Sequence, residues 1–358
     1  MNPLRKLLFP FSLLYDGVTK SRNALYDKGI LKENEYDIPV IVVGNLRVGG
    51  TGKTPMVAYL VQLLKENYPI AVLSRGYKRK TKGFVLANAE STVADLGDES
   101  FQLYRNFPEI MVAVDEERAH GIETLMQLPT SPQVILLDDA FQHRSVKAGF
   151  NILLTSYDDL YVDDQVLPAG NLRENVSGAA RAQVIVVTKC PEQLTEQEEF
   201  ETAQRLKPAL HQTVFFSKII YNNFIQNSEN QITLKALKDY KIVLVTGIAN
   251  PKPLEQYLIE QKIDFFHLSF PDHYNFTDED FEKIYSKFNN FDTNKKLILT
   301  TEKDYVRIFA ILSQKMKKAD DWYYLVITTQ IMRFQNNFNQ LILNYVGQST
   351  RDRSIFEK

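Results

Sequence analysis

The run Gly44-Asn45-Leu46-Arg47-Val48-Gly49-Gly50-Thr51-Gly52-Lys53-Thr54-Pro55 constrains the fold more than any other stretch of this chain. It follows the apolar run Val40–Val43 and precedes a helix-like pattern from Pro55 to Glu66. A glycine-rich loop between a buried strand and a helix turns consecutive backbone N–H groups toward one point, and the helix N-terminus adds a favourable dipole there. That arrangement is a phosphate cradle. Gly49, Gly50, Thr51, Gly52, Lys53 and Thr54 are the expected nucleotide contacts. Lys53 would reach the terminal phosphates, and the Thr54 hydroxyl would ligate magnesium. The match to the standard spacing is incomplete, because Arg47 stands where the first glycine belongs.

A phosphate loop of this kind needs a carboxylate at the end of a neighbouring strand to organise the metal. The run Val134–Leu137 leads into Asp138-Asp139, and both are candidate metal groups. Another apolar run, Val184–Val187, ends in Thr188-Lys189-Cys190-Pro191. In guanine-reading proteins the last of these positions is an aspartate. Proline here disfavours guanine and makes ATP the better expectation.

Further Val- and Ile-rich runs at Ile70–Leu73, Met111–Val114 and Ile152–Leu154 alternate with helix-like stretches at Glu99–Asn106 and Glu116–Leu128. Continuous apolar runs suit a parallel sheet covered on both faces, so the expectation is an α/β core, a mostly parallel sheet flanked by helices, over residues 33–212. Residues 213–240 read as linker strands. Residues 241–346 read as a smaller α/β subdomain, with strands at Ile242–Thr246, Asp264–Ser269, Leu297–Thr300 and Tyr323–Thr328 and helices at Pro253–Gln261, Asp278–Asn289 and Ile331–Tyr345. Residues 347–358 read as a frayed tail. A chain of 358 residues has room for about two such domains.

The 42 basic and 44 acidic residues leave a net charge of −2, which gives no global drive toward nucleic acid. The single cysteine, Cys190, excludes an intrachain disulfide and a Cys-rich zinc site. Residues 1–32 depart from this balance. Six basic and two acidic residues give the segment a charge of +4, and Leu4, Leu7, Leu8, Phe11, Leu14, Tyr15 and Val18 recur at helical spacing. No run reaches the roughly 18–20 apolar residues that span a bilayer. Two readings stay open on the segment itself: a basic amphipathic helix lying on an anionic membrane surface, or a helix packed on the protein's own core. Pro10 would kink this helix or begin it.

The same motifs, taken in order, resemble the tetraacyldisaccharide 4′-kinases of lipid A synthesis. The resemblance rests on Gly44–Pro55, Leu73-Ser74-Arg75-Gly76-Tyr77, Gly97-Asp98-Glu99, Leu136-Leu137-Asp138-Asp139-Ala140-Phe141-Gln142-His143-Arg144, Leu167-Pro168-Ala169-Gly170-Asn171-Leu172-Arg173-Glu174, Phe270-Pro271-Asp272-His273-Tyr274 and Thr301-Glu302-Lys303-Asp304. Ala140 stands where many relatives carry glycine. The resemblance implies a P-loop core with a smaller α/β subdomain. It implies transfer of the γ-phosphate of ATP, with Mg2+, to the 4′-hydroxyl of a tetraacylated disaccharide 1-phosphate at the cytoplasmic face of the inner membrane. It also implies a membrane-associated N-terminal segment, peripheral or monotopic. No obligate protein partner is evident.

Asp98 begins a helix pattern, where a carboxylate is commonly a cap. The resemblance instead carries a catalytic aspartate onto Asp98 and its histidine partner onto His273. Glu174 is a candidate second metal carboxylate, and Arg173 could neutralise charge on the phosphoryl group. Asn45, Arg75, Tyr77 and Arg79 join Arg173 as candidate substrate contacts. Arg75, Lys78, Arg79, Lys80 and Lys82 form a basic cluster suited to an anionic group of a lipid. A nucleotide-driven switch or metallochaperone shares this type of loop and is the alternative reading. The missing guanine-reading aspartate and the scarcity of Cys and His argue against it.

Overall fold

A computed structural model describes residues 5, 7–272, 274–314 and 319–356. The first helix, α1 (Phe9–Asp27), carries Pro10 in its opening turn, where a missing N–H costs nothing, so the proline starts the helix rather than kinking it. The chain then enters β1 (Val40–Asn45), which is buried throughout and leads through the glycine-rich loop into α2 (Lys53–Leu64). β2 (Ile70–Ser74), the short β3 (Val85–Leu86), α3 (Val93–Leu96), α4 (Asp98–Asn106), β4 (Met111–Val114), α5 (Arg118–Met126), β5 (Val134–Asp138), β6 (Phe150–Ser156), β7 (Val184–Thr188) and α6 (Glu196–Leu206) follow.

β7, β6, β1, β5, β2 and β4 lie side by side in that order, all parallel, with β3 antiparallel at the edge. Alternate residues of β1 serve opposite faces. Val40 and Val42 join one apolar cluster with Ile122 and Leu125 of α5, and Ile41 and Val43 join another with Met56, Val57 and Leu60 of α2. Burial on both faces is why these strands read as unbroken apolar runs rather than alternating ones.

β8 (Thr213–Gln226) joins the two halves of the molecule. Its first residues, Thr213–Phe216, run parallel to β7. From Ser217 onward it pairs antiparallel with β13 (Trp322–Ile331). Between those two strands the chain lays down β9 (Gln231–Thr233), β10 (Lys241–Thr246), α7 (Lys252–Glu260), β11 (Phe265–Ser269), α8 (Asp278–Asn289), β12 (Lys296–Thr301) and α9 (Glu302–Gln314). β11, β10, β12 and β13 are parallel neighbours, so one 13-stranded sheet runs through the molecule by way of β8. Leu254 and Leu258 of α7 cover one face of its second half, and Phe281 and Ile284 of α8 and Tyr305 and Ile308 of α9 cover the other.

The helix expected at Ile331–Tyr345 as the end of the smaller subdomain, with a frayed tail beyond it, is instead one helix, α10 (Gln335–Phe356), and it belongs to the other half. After β13 the Met332 amide donates to Phe216 O, and Phe334 turns the chain at φ 58°. Phe338, Ile342 and Val346 then pack into the same cluster as β1 and α2. The Tyr345 hydroxyl accepts from the Val40 amide at 3.1 Å and lies 3.2 Å from Val40 O, to which it donates. Three buried apolar residues at helical spacing need a sheet face to cover, and the face open to them is that of the nucleotide-loop half.

Phe338 is fully buried and stands edge-on to Phe215, with ring centroids 5.2 Å apart. Phe338→Ala is expected to lower unfolding stability by about 3–5 kcal/mol in urea denaturation. A loss below about 1 kcal/mol would mean that α10 is not part of this core.

Candidate active site

The glycine-rich loop is held from three sides. Gly44 lies so close to Phe141 that an added Cβ would stand 2.6 Å from the phenylalanine Cβ, so β1 can end here only with glycine. Gly52, at φ 85°, turns the chain into α2 through a conformation that side chains resist. Asn45 is fully buried and donates to Thr51 Oγ1 at 2.8 Å, while Thr188 at the end of β7 donates to Thr51 O at 2.8 Å. Lys189 Nζ donates to Gly50 O. On the third side, the Val48 amide donates to Asn171 O and the Arg173 amide to Leu46 O. Gly49 and Gly50 remain exposed at the mouth of the loop, and Lys53 and Thr54 are half-buried at the start of α2.

Two carboxylates close the site at the end of β5. Asp139 lies 3.7 Å from Lys53 Nζ, and Arg173 grips it with both arms at 2.7 and 3.1 Å. Burial would raise the Asp139 pKa, but Lys53 and Arg173 outweigh it and hold this carboxyl below its ordinary value. Asp138 is only 2% exposed, and burial, reinforced by Glu99 and Asp139, pushes its pKa up to about 7. One of its oxygens, Oδ1, is buried without a hydrogen-bond partner. A buried carboxylate oxygen with no donor, beside the phosphate loop, fits a divalent cation, which would hold Asp138 ionised. Among the described residues no group of three or more His, Cys, Asp or Glu could hold a metal without help. The donor set thus suits a magnesium that takes one or two protein oxygens and completes its shell with phosphate and water.

Arg118 and His143 complete the polar floor, and neither was singled out in the sequence. Arg118, at the first position of α5, is 1% exposed; its Nη1 donates to Asp115 O, and its Nε and Nη2 have no hydrogen-bond partner. Burial lowers its pKa to about 10, opposed by Asp138 and Asp139. It stays a cation, with two unspent donors near the aspartate pair. Burial, aided by Arg118 and Arg75, lowers the His143 pKa to about 4, so its ring is neutral near pH 7. The signal for Arg118 was its place just after a strand end, at the carboxyl edge where parallel sheets put their ligands.

Asp98 is the first residue of α4, and its Oδ2 lies 3.4 Å from Arg307 Nε of α9. Gly97, at φ 80°, brings the loop after β2 against this helix start, since an added Cβ would meet Tyr77 O at 2.5 Å. Arg75 and Tyr77 are exposed on that loop. His273 lies outside the described residues.

Three of the expected site residues have partners within the protein. Glu174, a candidate metal carboxylate, is 3% exposed and spends its oxygens on Arg181 at 2.7 Å, Asn23 at 2.8 Å and Gln142 at 3.0 Å. It ties α1 to the body of the protein, with Oε1 accepting from Arg181 and Gln142 and Oε2 from Asn23. Arg79, a candidate substrate contact, pairs with Glu116 at 2.6 Å and donates to Gly83 O at 2.7 Å, closing its own loop. Asn45, another, donates through Nδ2 inside the phosphate loop, while its Oδ1 is buried without a hydrogen-bond partner.

Asp139 is held ionised, so it stabilises the fold above the ordinary carboxylate range, and that contribution fades as the pH falls through its lowered pKa. Arg173→Ala should raise the Asp139 pKa, read by carboxyl NMR of the nucleotide-free protein. The stability gap to wild type should be wider near neutrality than in acid below the lowered Asp139 pKa, where the carboxyl is protonated in both. A gap independent of pH would detach Arg173 from Asp139.

Comparison with known proteins places this geometry in context. Residues 4–347 match the family model for tetraacyldisaccharide-1-P 4′-kinase, LpxK. The tetraacyldisaccharide 4′-kinase of Flavobacterium johnsoniae is 50% identical over 349 residues, covering 98% of this chain and 99% of the relative. That of Bacteroides thetaiotaomicron is 43% identical over 369 residues, covering 99% and 97%. The crystal structure of LpxK from Aquifex aeolicus in complex with ATP superposes with a TM-score of 0.76 at 31% identity, covering 96% of this chain and 99% of the other.

Proposed function

This chain belongs to the tetraacyldisaccharide-1-phosphate 4′-kinase family, and from that premise we propose the division of labour by which its residues carry out the reaction. The protein is an ATP-dependent kinase that phosphorylates the 4′-hydroxyl of a tetraacyldisaccharide 1-phosphate. The observation that supports the assignment of roles is the buried pair Asp138-Asp139 set beside Lys53.

The backbone amides of Gly49–Lys53 cradle the phosphates of ATP, and the Lys53 ammonium faces the terminal ones. Thr54 and Asp138 would hold Mg2+, which when bound would neutralise charge on the phosphate oxygens. Asp139, fixed by Arg173, orients Lys53 across the 3.7 Å gap between them. The Arg118 guanidinium, buried with two unspent donors, faces the anionic side of the site. Asp98 accepts the proton of the sugar hydroxyl as the hydroxyl oxygen bonds to the γ-phosphorus and the bond from that phosphorus to ADP breaks, and His273 is its partner in that step. In this reading residues 33–212 with α10 form the nucleotide half, and the unit inserted between β8 and β13 forms the other wall of the cleft.

The lipid substrate calls for a membrane surface, and α1 is built to meet one. No helix among the described residues is long and apolar enough to cross a bilayer. The polar side of α1 faces the protein: Ser12 Oγ accepts from the Ala169 amide at 2.8 Å, Asn23 donates to Glu174, and Arg5, just ahead of the helix, donates to Pro168 O and Gly170 O. Its apolar side is turned outward, with Phe11 62%, Leu14 70% and Val18 62% exposed. This is the reverse of a helix that serves its own core. We place α1 on the inner membrane at its cytoplasmic face, with the acyl chains of the substrate beside it.

Purified protein given ATP, magnesium and tetraacyldisaccharide 1-phosphate in detergent should yield a bis-phosphorylated lipid by mass spectrometry. Lys53→Ala should cut the rate by about 100-fold or more. Absence of product from folded wild-type protein, or full product from Lys53→Ala, would sink the assignment. A Phe11→Ser/Leu14→Ser variant should lose most of its co-sedimentation with anionic vesicles while keeping its melting temperature. Unchanged vesicle binding would remove α1 from the membrane.

A further inference from the structure

The segment Thr301-Glu302-Lys303-Asp304 stands out in the sequence, yet it touches neither the phosphate loop nor the aspartate pair. It closes β12 and opens α9, and that helix lies against α4, which bears Asp98 at its first position. Polar contacts from the first two turns of α9 meet α4, and Arg105 of α4 lies over the rings of Tyr305 and Phe309. Glu302, 6% exposed, accepts from Gln102 at 2.7 Å and from Asn106 at 2.8 Å. Lys303 lies 3.6 Å from Glu99. Arg307 Nε lies 3.4 Å from Asp98 Oδ2.

Arg307 is held in one orientation. Its Nη2 donates to Asp304 Oδ1 at 2.7 Å and to Gly247 O at 3.4 Å, and its Nη1 donates to Tyr274 O at 3.3 Å. Asp304 is itself fully buried and accepts from the Gly247 amide at 2.9 Å and the Thr301 hydroxyl at 2.7 Å. Those contacts fix the far side of the guanidinium; its Nε donates to Lys303 O at 3.4 Å and lies the same distance from Asp98 Oδ2, as an ion pair. A planar fork can serve a carboxylate on each side at once, whereas an ammonium is a point donor.

We infer that Arg307 is a positioning residue for Asp98: Thr301 and Asp304 lock its guanidinium from the inserted unit so that its Nε edge orients the Asp98 carboxylate for proton acceptance. The inference rests on the role proposed above for Asp98. It assigns the Thr301–Asp304 segment a purpose, and it makes the inserted unit a contributor to the chemistry of the nucleotide half. Misplacing a reacting group by about 1 Å costs on the order of 10²-fold in rate.

The test is steady-state kinetics on the full-length protein with ATP and tetraacyldisaccharide 1-phosphate, beside melting curves and ATP binding. Arg307→Ala should lower kcat by about 10²-fold with the KM for ATP changed less than about threefold. Arg307→Lys, which keeps the charge and loses the fork, should recover part of that loss. In an Asp98→Asn background, assayed at enzyme concentrations that give measurable turnover, Arg307→Ala should cost less than about threefold, because it acts through the carboxylate already removed. An unchanged kcat in Arg307→Ala, or an undiminished loss in the Asp98→Asn background, overturns the inference. Should Arg307→Ala fail to fold, Arg307→Lys carries the same comparison. A folded wild type that makes no product refutes the kinase reading itself. Full activity in Asp98→Asn refutes the role of Asp98, and neither result resembles a failure confined to Arg307.

Discussion

The structure turns on two adjacent carboxylates brought to the end of a buried strand. Charges that close repel, and burial makes the repulsion worse, so the pair can exist only if cations are supplied with it. Lys53 comes from the phosphate-loop helix, Arg173 from the loop after β6, and Arg118 from α5. Each lies on a different segment, so the demand of one aspartate pair sets the mutual position of three parts of the chain. The two carboxylates end up unequal. Asp139 is satisfied by protein cations, while Asp138 is left under-solvated with an unspent oxygen, the condition in which a group binds a metal ion.

The same economy of segments appears at the join between the halves. β8 changes partner in mid-strand, from β7 to β13, and carries the sheet across without a break. The inserted unit is thereby fixed in angle at its root. Its side-chain contacts fall on α4, through Glu302, Lys303 and Arg307. The loop Leu167–Glu174 has a matching role on the other flank: Asn171 O and the Arg173 amide pair with Val48 and Leu46, while Glu174 and Ala169 receive α1.

Much of this was legible in the residues. Unbroken apolar runs located β1, β2, β4, β5 and β7 to within a residue or so, because a strand buried on both faces leaves no alternative pattern. α6 and α9 were missed although each announces itself: Thr195 with Glu198 forms a reciprocal cap, and Thr301 with Asp304 makes the same kind of pairing. Thr301–Asp304 is visible in the sequence as a motif, but the length of the helix it opens is not. Glu174 and Arg79 illustrate a different limit. A charged residue singled out in the sequence can be engaged by neighbours within the protein, and only the partners at 2.6–3.0 Å reveal it. The home of α10 lay beyond local reading altogether. Its apolar face is plain in the sequence, but which sheet it covers depends on where β13 delivers the chain.

That delivery has a consequence for how the molecule is made. Synthesis runs from the N-terminus, and domains tend to fold as they emerge. The nucleotide half cannot finish this way, because Phe338, Ile342 and Val346 belong to its core and appear only after the inserted unit. The inserted unit, bounded by β8 and β13 and holding two apolar clusters of its own, is contiguous in the chain and available earlier. The part that binds the nucleotide is therefore completed after the inserted unit, with β1 waiting for a helix residue 305 positions downstream, the separation of Val40 from Tyr345. A chain cut short before α10 would carry its whole phosphate loop and still lack the cover that its sheet needs.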